Sequence, residues 1–213
     1  MAPDDWFRNE NWNERIEADF FEKLGRARSR RDQYLAIQAL TLATTQPKIA
    51  LRLVSDYFDT RKNDFCDYQA LIARATAFES LKDFNAAVAT YKELISWQSR
   101  RSNVEAGGGL RLAYLVATEK LAEHFEFALE QLESVPDAAL FPVAEFKRHA
   151  AAALIFSEVQ EPALARSHAD RALKAANIRR TGLQYHQVVG LVSSKHRKVV
   201  RAIRKLATNK ALH

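Results

Sequence analysis

The feature that most constrains this chain is a helical pattern that returns four times. In each copy a small residue is followed four and seven positions later by residues able to pack on the same helix face: Ala50-Val54-Tyr57, Ala87-Tyr91-Leu94, Ala128-Leu132-Val135 and Ala165-Ala169-Ala172. The alanines stand 37, 41 and 37 residues apart. A second stripe precedes each copy: Leu35-Ala39-Leu42, Leu71-Ala75-Phe78, Leu112-Leu115-Val116 and Ala152-Ala153-Phe156. Short breaks separate the two stripes, at Thr44-Thr45-Gln46-Pro47, Lys82-Asp83-Phe84, Glu123-His124-Phe125 and Gln160-Glu161-Pro162. Each copy therefore predicts helix, tight turn, helix. One such pair cannot bury both of its faces, so successive pairs must stack. The turn residues agree, because 6 Gly and 5 Pro in 213 residues are too few for a many-stranded sandwich or barrel.

Small residues at the crossings let helix backbones approach, and the larger residue a turn or two away fills the adjoining groove. The stretch Leu71-Ile72-Ala73-Arg74-Ala75-Thr76-Ala77-Phe78, continued by Leu81-Lys82-Asp83-Phe84-Asn85-Ala86-Ala87-Val88-Ala89-Thr90-Tyr91-Lys92-Glu93-Leu94, resembles a tetratricopeptide repeat. Leu71, Ala75, Phe78, Phe84, Ala87, Tyr91 and Leu94 fall where that family places its packing residues. The resemblance spans about residues 32–176. The expected fold is all-α: a right-handed superhelical solenoid of about four such hairpins with N- and C-terminal capping helices. What the resemblance implies is a non-enzymatic scaffold or adaptor that holds a peptide or partner protein on its concave face. In that register the concave face carries Gln33, Ala36, Gln69, Ile72, Thr76, Glu79, Ala113, Ala117 and Lys120. This lining lacks the Lys/Asn set with which relatives clamp a C-terminal carboxylate, so a chaperone-tail receptor is not expected.

The expected division is 1–31 for an N-terminal aromatic segment and capping helix, 32–176 for the repeats, and 177–213 for a basic helical segment. Near the start, Asn11 with Glu14 three residues on reads as a capping box, continued by Ile16, Phe20, Phe21 and Leu24. Trp6, Phe7 and Trp12 are large rings expected to pack back onto the fold.

The net charge of +6 conceals an asymmetry. From Arg171 to His213 there are eleven Lys or Arg and no Asp or Glu, while the preceding residues carry 21 bases against 26 acids. A surface meant only for solubility mixes both signs, so a run of one sign points to an anionic partner. Val192, Val199, Val200, Ile203 and Leu206 share one side of a helix, and Arg197, Lys198, Arg201, Arg204 and Lys205 share the other. The apolar side is expected to dock and the basic side to meet solvent. This supplies an alternative function, a nucleic-acid-associated protein whose basic helix contacts phosphates. An acidic protein or acidic lipid headgroups would satisfy the same charges. Tyr185 is the only aromatic after Phe156, which gives base stacking little support.

Catalytic signals are sparse. The six histidines, at 124, 149, 168, 186, 196 and 213, form no HExxH pair and no obvious ligand spacing with Asp or Glu, so neither a metal nor a cofactor is expected. The single cysteine, Cys66, excludes an intrachain disulfide, and its neighbours Asp64 and Asp67 disfavour a thiolate. Gly107-Gly108-Gly109 lacks the Lys-Ser/Thr of a phosphate loop and reads as a flexible connection between the second and third hairpins. No Gly-x-Ser-x-Gly elbow occurs. Glu126, Glu130 and Glu133 read as the solvated face of a surface helix. The longest apolar run, Ala150 to Phe156, is 7 residues, against the roughly 20 a membrane span requires. The N-terminus carries neither a basic leader nor an apolar run, so a cytoplasmic location is expected.

Overall fold

The computed structural model describes residues 5–101, 107–134, 141–183 and 185–208. Among these residues all regular structure is helical and no strand occurs. The α-helices are α1 (Glu14–Arg26), α2 (Arg31–Leu42), α3 (Pro47–Thr60), α4 (Asp67–Leu81), α5 (Phe84–Ser99), α6 (Gly108–Thr118), α7 (Phe125–Glu133), α8 (Pro142–Glu158), α9 (Pro162–Ala176) and α10 (Arg197–Thr208). Short 3₁₀ turns, Ala122–His124 and Ser194–His196, lead into α7 and α10. Every described residue of the four recurring triplets is buried; Val135 lies outside the described residues.

Helix boundaries follow local chemistry. Pro47, Pro142 and Pro162 open α3, α8 and α9, where a missing N–H costs nothing. The side chain of Asp83 caps α5 by accepting from the Ala86 amide at 3.1 Å. Three of the four hairpin turns share one geometry, that of the third hairpin lying earlier than the expected Glu123-His124-Phe125. Lys82, Lys120 and Gln160 adopt left-handed backbone at φ 61°, 57° and 62°. The residue after each donates its amide to the last member of the preceding stripe: Asp83 to Phe78, Leu121 to Val116 and Glu161 to Phe156, at 3.0, 3.0 and 2.8 Å. The first break differs, with the Gln46 amide donating to the Leu42 carbonyl at 2.8 Å.

The chain forms two compact units, Met1–Gly108 and Gly109–His213. In the first, α2 packs on α3 and on α4, α3 on α4, and α4 on α5. Phe20 and Leu24 of α1 enter the same core as Leu35, Ala39, Leu53 and Tyr57, so the N-terminal helix packs with the helices that follow it. Trp6, Phe7 and Trp12 pack against that core as expected. A polar clamp holds them there. The fully buried Gln38 accepts from the Asn9 amide at 2.9 Å and donates to the Asn9 carbonyl at 2.8 Å, satisfying both backbone groups of a segment with no secondary structure. The cap of α1 is Asn13, not Asn11: its side chain accepts from the Ile16 amide at 3.0 Å. The chain stays extended that far because the Trp12 ring lies against Phe20 while its Nε1 donates to Glu17 at 2.8 Å.

In the second unit α8 packs on α9 and on α7, and α10 lies against α9 and α8. One core cluster of this unit is largely alanine: Ala150, Ala153, Ala169, Ala172 and Ala175, with Phe146 and Ile203. Val192, Val199, Val200 and Leu206 pack around it, so the apolar side of α10 docks as its spacing predicts, and the basic segment is part of this unit. Gly108 and Gly109 are not a flexible connection; they begin α6, and only Gly107, at φ 61°, lies outside it. A Cβ at Gly108 would stand 3.0 Å from Leu94, and one at Gly109 would stand 3.0 Å from Gln131, so close approach explains both glycines. Among the described residues no helix is long and apolar enough to cross a membrane.

Two substitutions test this packing. Ala87 is fully buried, and Ala87→Leu should cost about 1–3 kcal/mol by overpacking, read as a lower urea midpoint. Gly190 combines φ 75° with a would-be Cβ only 2.3 Å from the Phe141 ring. Gly190→Ala should therefore destabilise by about 1–3 kcal/mol, whereas Gly182→Ala, whose Cβ would meet nothing within 4 Å, should leave the midpoint in place.

Candidate anion-binding cleft

The acid-free C-terminal segment folds so that its charges converge. Arg197, Arg201 and Arg204 recur at helical spacing on the exposed side of α10 and line a cleft of about 440 Å³. Arg179, just beyond α9, supplies a fourth guanidinium. Leu173, Ala176, Val192 and Val200 contribute apolar walls, while Asn177, Ser193 and Ser194 add polar groups. No acid lines this space, and among the described residues none of the four arginines forms an ion pair. Lys198 and Lys205 are exposed on α10 but do not line the cleft.

Guanidinium groups present paired N–H donors that match the oxygens of a phosphate or carboxylate, and hydroxyl and amide groups can complete such a shell. The cleft is suited to hold an anion by several donors at once. Its loop adds a further group. The segment between Arg179 and Val192, both of which line the cleft, is closed by the Thr181 amide donating to the Gln187 carbonyl at 2.8 Å and carries Tyr185, 85% exposed. Of the cleft residues, Arg179 escaped the sequence reading because it lies outside the helical stripe; its place in the acid-free run was the available signal.

The expected concave-face residues divide by exposure. Gln33 and Lys120 are exposed, Gln69, Thr76 and Glu79 partly so, and Ala36, Ile72, Ala113 and Ala117 are buried and offer a ligand no surface. Two of the polar positions already have partners: Lys120 pairs with Glu158 at 2.6 Å, and Glu79 accepts from the Tyr91 hydroxyl. The Gln69 Oε1 is buried without a hydrogen-bond partner.

The histidines hold a chain the sequence reading missed. Glu145 and His149 lie four residues apart on α8, with Oε1 2.9 Å from Nε2. The Nδ1 of His149 lies 2.9 Å from Nδ1 of His168 on α9, whose ring stacks on Phe156. If the Nε2–H of His149 donates to the carboxylate, its Nδ1 accepts from His168. The spacing Glu145-x-x-x-His149 was the visible signal; the contact to His168 depends on how α8 and α9 cross. Among the described residues no three His, Cys, Asp or Glu side chains converge as metal ligands. Cys66 is buried, and its thiol is pushed up first by burial and then by the carboxylates of Asp32 and Asp67.

Burial holds His168 and His196 neutral, with pKa lowered to about 4, reinforced for His168 by His149, Arg171 and Arg148 and for His196 by Lys147 and Lys195. His149 is also lowered by burial, with Glu145 opposing and Arg148 and Arg171 assisting. Because the folded values lie below the ordinary 6.5, the unfolded chain binds more protons between the two. The associated stability is complete above pH 6.5 and is lost as the pH falls toward 4. The urea midpoint should drop across that window, and His168→Gln/His196→Gln should flatten the drop relative to the parent, separating the histidine share from that of the carboxylates.

No family model, no curated protein and no solved structure matches this chain.

Proposed function

We propose that the protein is a non-enzymatic helical-repeat scaffold that associates with nucleic acid by gripping backbone phosphates in the arginine cleft of its second unit. The observation that carries this reading is the convergence of Arg179, Arg197, Arg201 and Arg204 on one acid-free cleft. Phosphate contact needs clustered guanidinium groups and no base-edge readout, and such groups are what the cleft provides. The exposed Tyr185 ring, on a loop whose ends line the cleft, offers a stacking surface for an unpaired base.

The repeat part of the proposal is a right-handed superhelical solenoid of about four tetratricopeptide-like hairpins, working in the cytoplasm. Its support is internal: the triplets are buried throughout the described residues, and three of the four turns share the same left-handed residue and the same amide-to-carbonyl bond. A second reading, an adaptor holding a peptide on a concave face, draws on the exposed or half-exposed Gln33, Gln69, Thr76 and Lys120, and on the unpartnered Gln69 Oε1.

The two readings separate under charge reversal. Arg197→Glu/Arg201→Glu/Arg204→Glu leaves the docking residues Val199, Ile203 and Leu206 in place, so the unfolding midpoint should move little. Binding to a single-stranded oligonucleotide should fall by at least about tenfold at low salt, and the slope of log affinity against log salt should become shallower by about two to three. Retention of full affinity by the triple variant would remove the cleft from function and leave the concave face as the remaining surface.

A further inference from the structure

A second basic pocket lies in the first unit and owes nothing to the arginine cleft. From the last turn of α1 the chain runs Gly25-Arg26-Ala27-Arg28-Ser29-Arg30-Arg31 into α2, and this stretch borders a pocket of about 350 Å³. The lining includes the cations Lys23, Arg26, Arg28 and Arg30 and the rings of Trp6 and Tyr34. The volume sits at the lower end of the roughly 300–1,000 Å³ typical of small-ligand sites.

The charges here are not equally committed. Arg26 is held by Glu22 one helical turn back. Among the described residues, Lys23, Arg28 and Arg30 form no ion pair and no acid lines the pocket. The aromatic part of the lining is held in place. The Trp6 and Tyr34 centroids are 4.9 Å apart, Phe7 stacks on Tyr34 at 4.4 Å, and the Trp6 carbonyl accepts from Asn9, which Gln38 clamps. A site lined both by uncommitted cations and by fixed indole and phenol rings matches a ligand that carries an anionic group and a flat aromatic one. Simple phosphate would leave the rings unused, and an uncharged aromatic would leave the cations unused.

We propose that this pocket binds a nucleotide, with its phosphate against Lys23, Arg28 and Arg30 and its base against Trp6 and Tyr34. Base-on-aromatic contact is sequence-tolerant, since every base has a π face, and guanidinium groups beside it add cation–π attraction. The proposal does not rest on the function assigned to the second unit. The ligand chemistry is shared by a free nucleotide and by an unpaired nucleotide of a strand.

The test is calorimetric titration of the full chain at low salt with 5′-AMP, adenosine, inorganic phosphate and a short single-stranded oligoadenylate. AMP or the oligoadenylate should bind at least about tenfold more tightly than either adenosine or phosphate alone, because each half-ligand meets only part of the lining. Saturation by AMP identifies a free nucleotide, and oligoadenylate binding that persists in the Arg197→Glu/Arg201→Glu/Arg204→Glu variant, without binding of AMP, identifies a strand at this pocket. Arg28→Ala/Arg30→Ala, in an exposed turn, should weaken the tighter ligand by about tenfold or more without moving the melting temperature. Trp6→Phe, which keeps a ring in the cluster, should weaken it less than Trp6→Leu. The Arg197→Glu/Arg201→Glu/Arg204→Glu variant should retain AMP binding in full. Equal affinity for AMP and phosphate would reduce the pocket to a cluster of counterion contacts. Unchanged binding by the Arg28→Ala/Arg30→Ala variant, or loss of AMP binding on charge reversal in α10, would place the nucleotide elsewhere and overturn the proposal.

Discussion

Close approach of helices at alanine is the constraint on which the rest of this structure depends. Ala50, Ala87, Ala128 and Ala165 are all buried, and each stands at the head of a triplet that packs one helix against its neighbours. Alanine permits near contact but removes little apolar area from water, so an alanine-rich core must import bulk from elsewhere. Around the alanines of α8 and α9 that bulk comes from Phe146, from Tyr114 and from Ile203 of α10. The basic helix is thus a structural part of the unit. Its arginines stand on a backbone held by the core, which limits the ordering cost of binding an anion with several of them together.

The same arrangement accounts for the electrostatics of the histidines. Arg148, Arg171, Lys147 and Lys195 all press the neighbouring imidazoles toward the neutral form, after burial has already done so. A positive field that disfavours an imidazolium is also a field that favours an incoming anion. Neutral His149 and His168 can then share one hydrogen bond across α8 and α9, and His196 can pair with the Tyr114 hydroxyl at 2.7 Å. The buried histidines and the cations around them are therefore coupled through charge.

The helical periodicity was legible, because burial imposes it on the sequence directly: Ala87-Tyr91-Leu94 is core wherever the helix lies, and Val199, Ile203 and Leu206 mark a docking face from spacing alone. The turns were harder to read. Lys82, Lys120 and Gln160 take the left-handed conformation that glycine usually fills, so the punctuation of three hairpins carried no glycine signal. Gly108 and Gly109, which do look like punctuation, are helical, and each is matched to close neighbouring side chains that a Cβ would crowd. The cap moved from Asn11 to Asn13 for a tertiary reason, the docking of Trp12 against Phe20. The pairing of Gln38 with Asn9 and the contact of His149 with His168 join residues 29 and 19 apart, a distance no local pattern encodes. On the candidate site, the stripe of Arg197, Arg201 and Arg204 was visible and its partner Arg179 was not, since convergence on a cleft is a property of the folded chain.

In the proposed role, arginines on a docked helix supply affinity without identity. Phosphate contacts position a chain and are indifferent to its bases, so discrimination among anionic partners has to come from groups of another kind. In the second unit the candidate is Tyr185, exposed on a loop that begins and ends at the cleft. Its neighbours on that loop, Leu183, Val188 and Val189, are exposed apolar side chains, an arrangement that costs solubility and is retained where contact surface is needed. Gly190 ties the far end of the loop to the start of α8, with its carbonyl accepting from the Val143 amide at 2.8 Å and its missing Cβ admitting Phe141, and α8 is also one of the helices on which α10 packs. Charge and contact surface are in this way both tied to α8, and the geometry between them is decided by packing that neither group supplies.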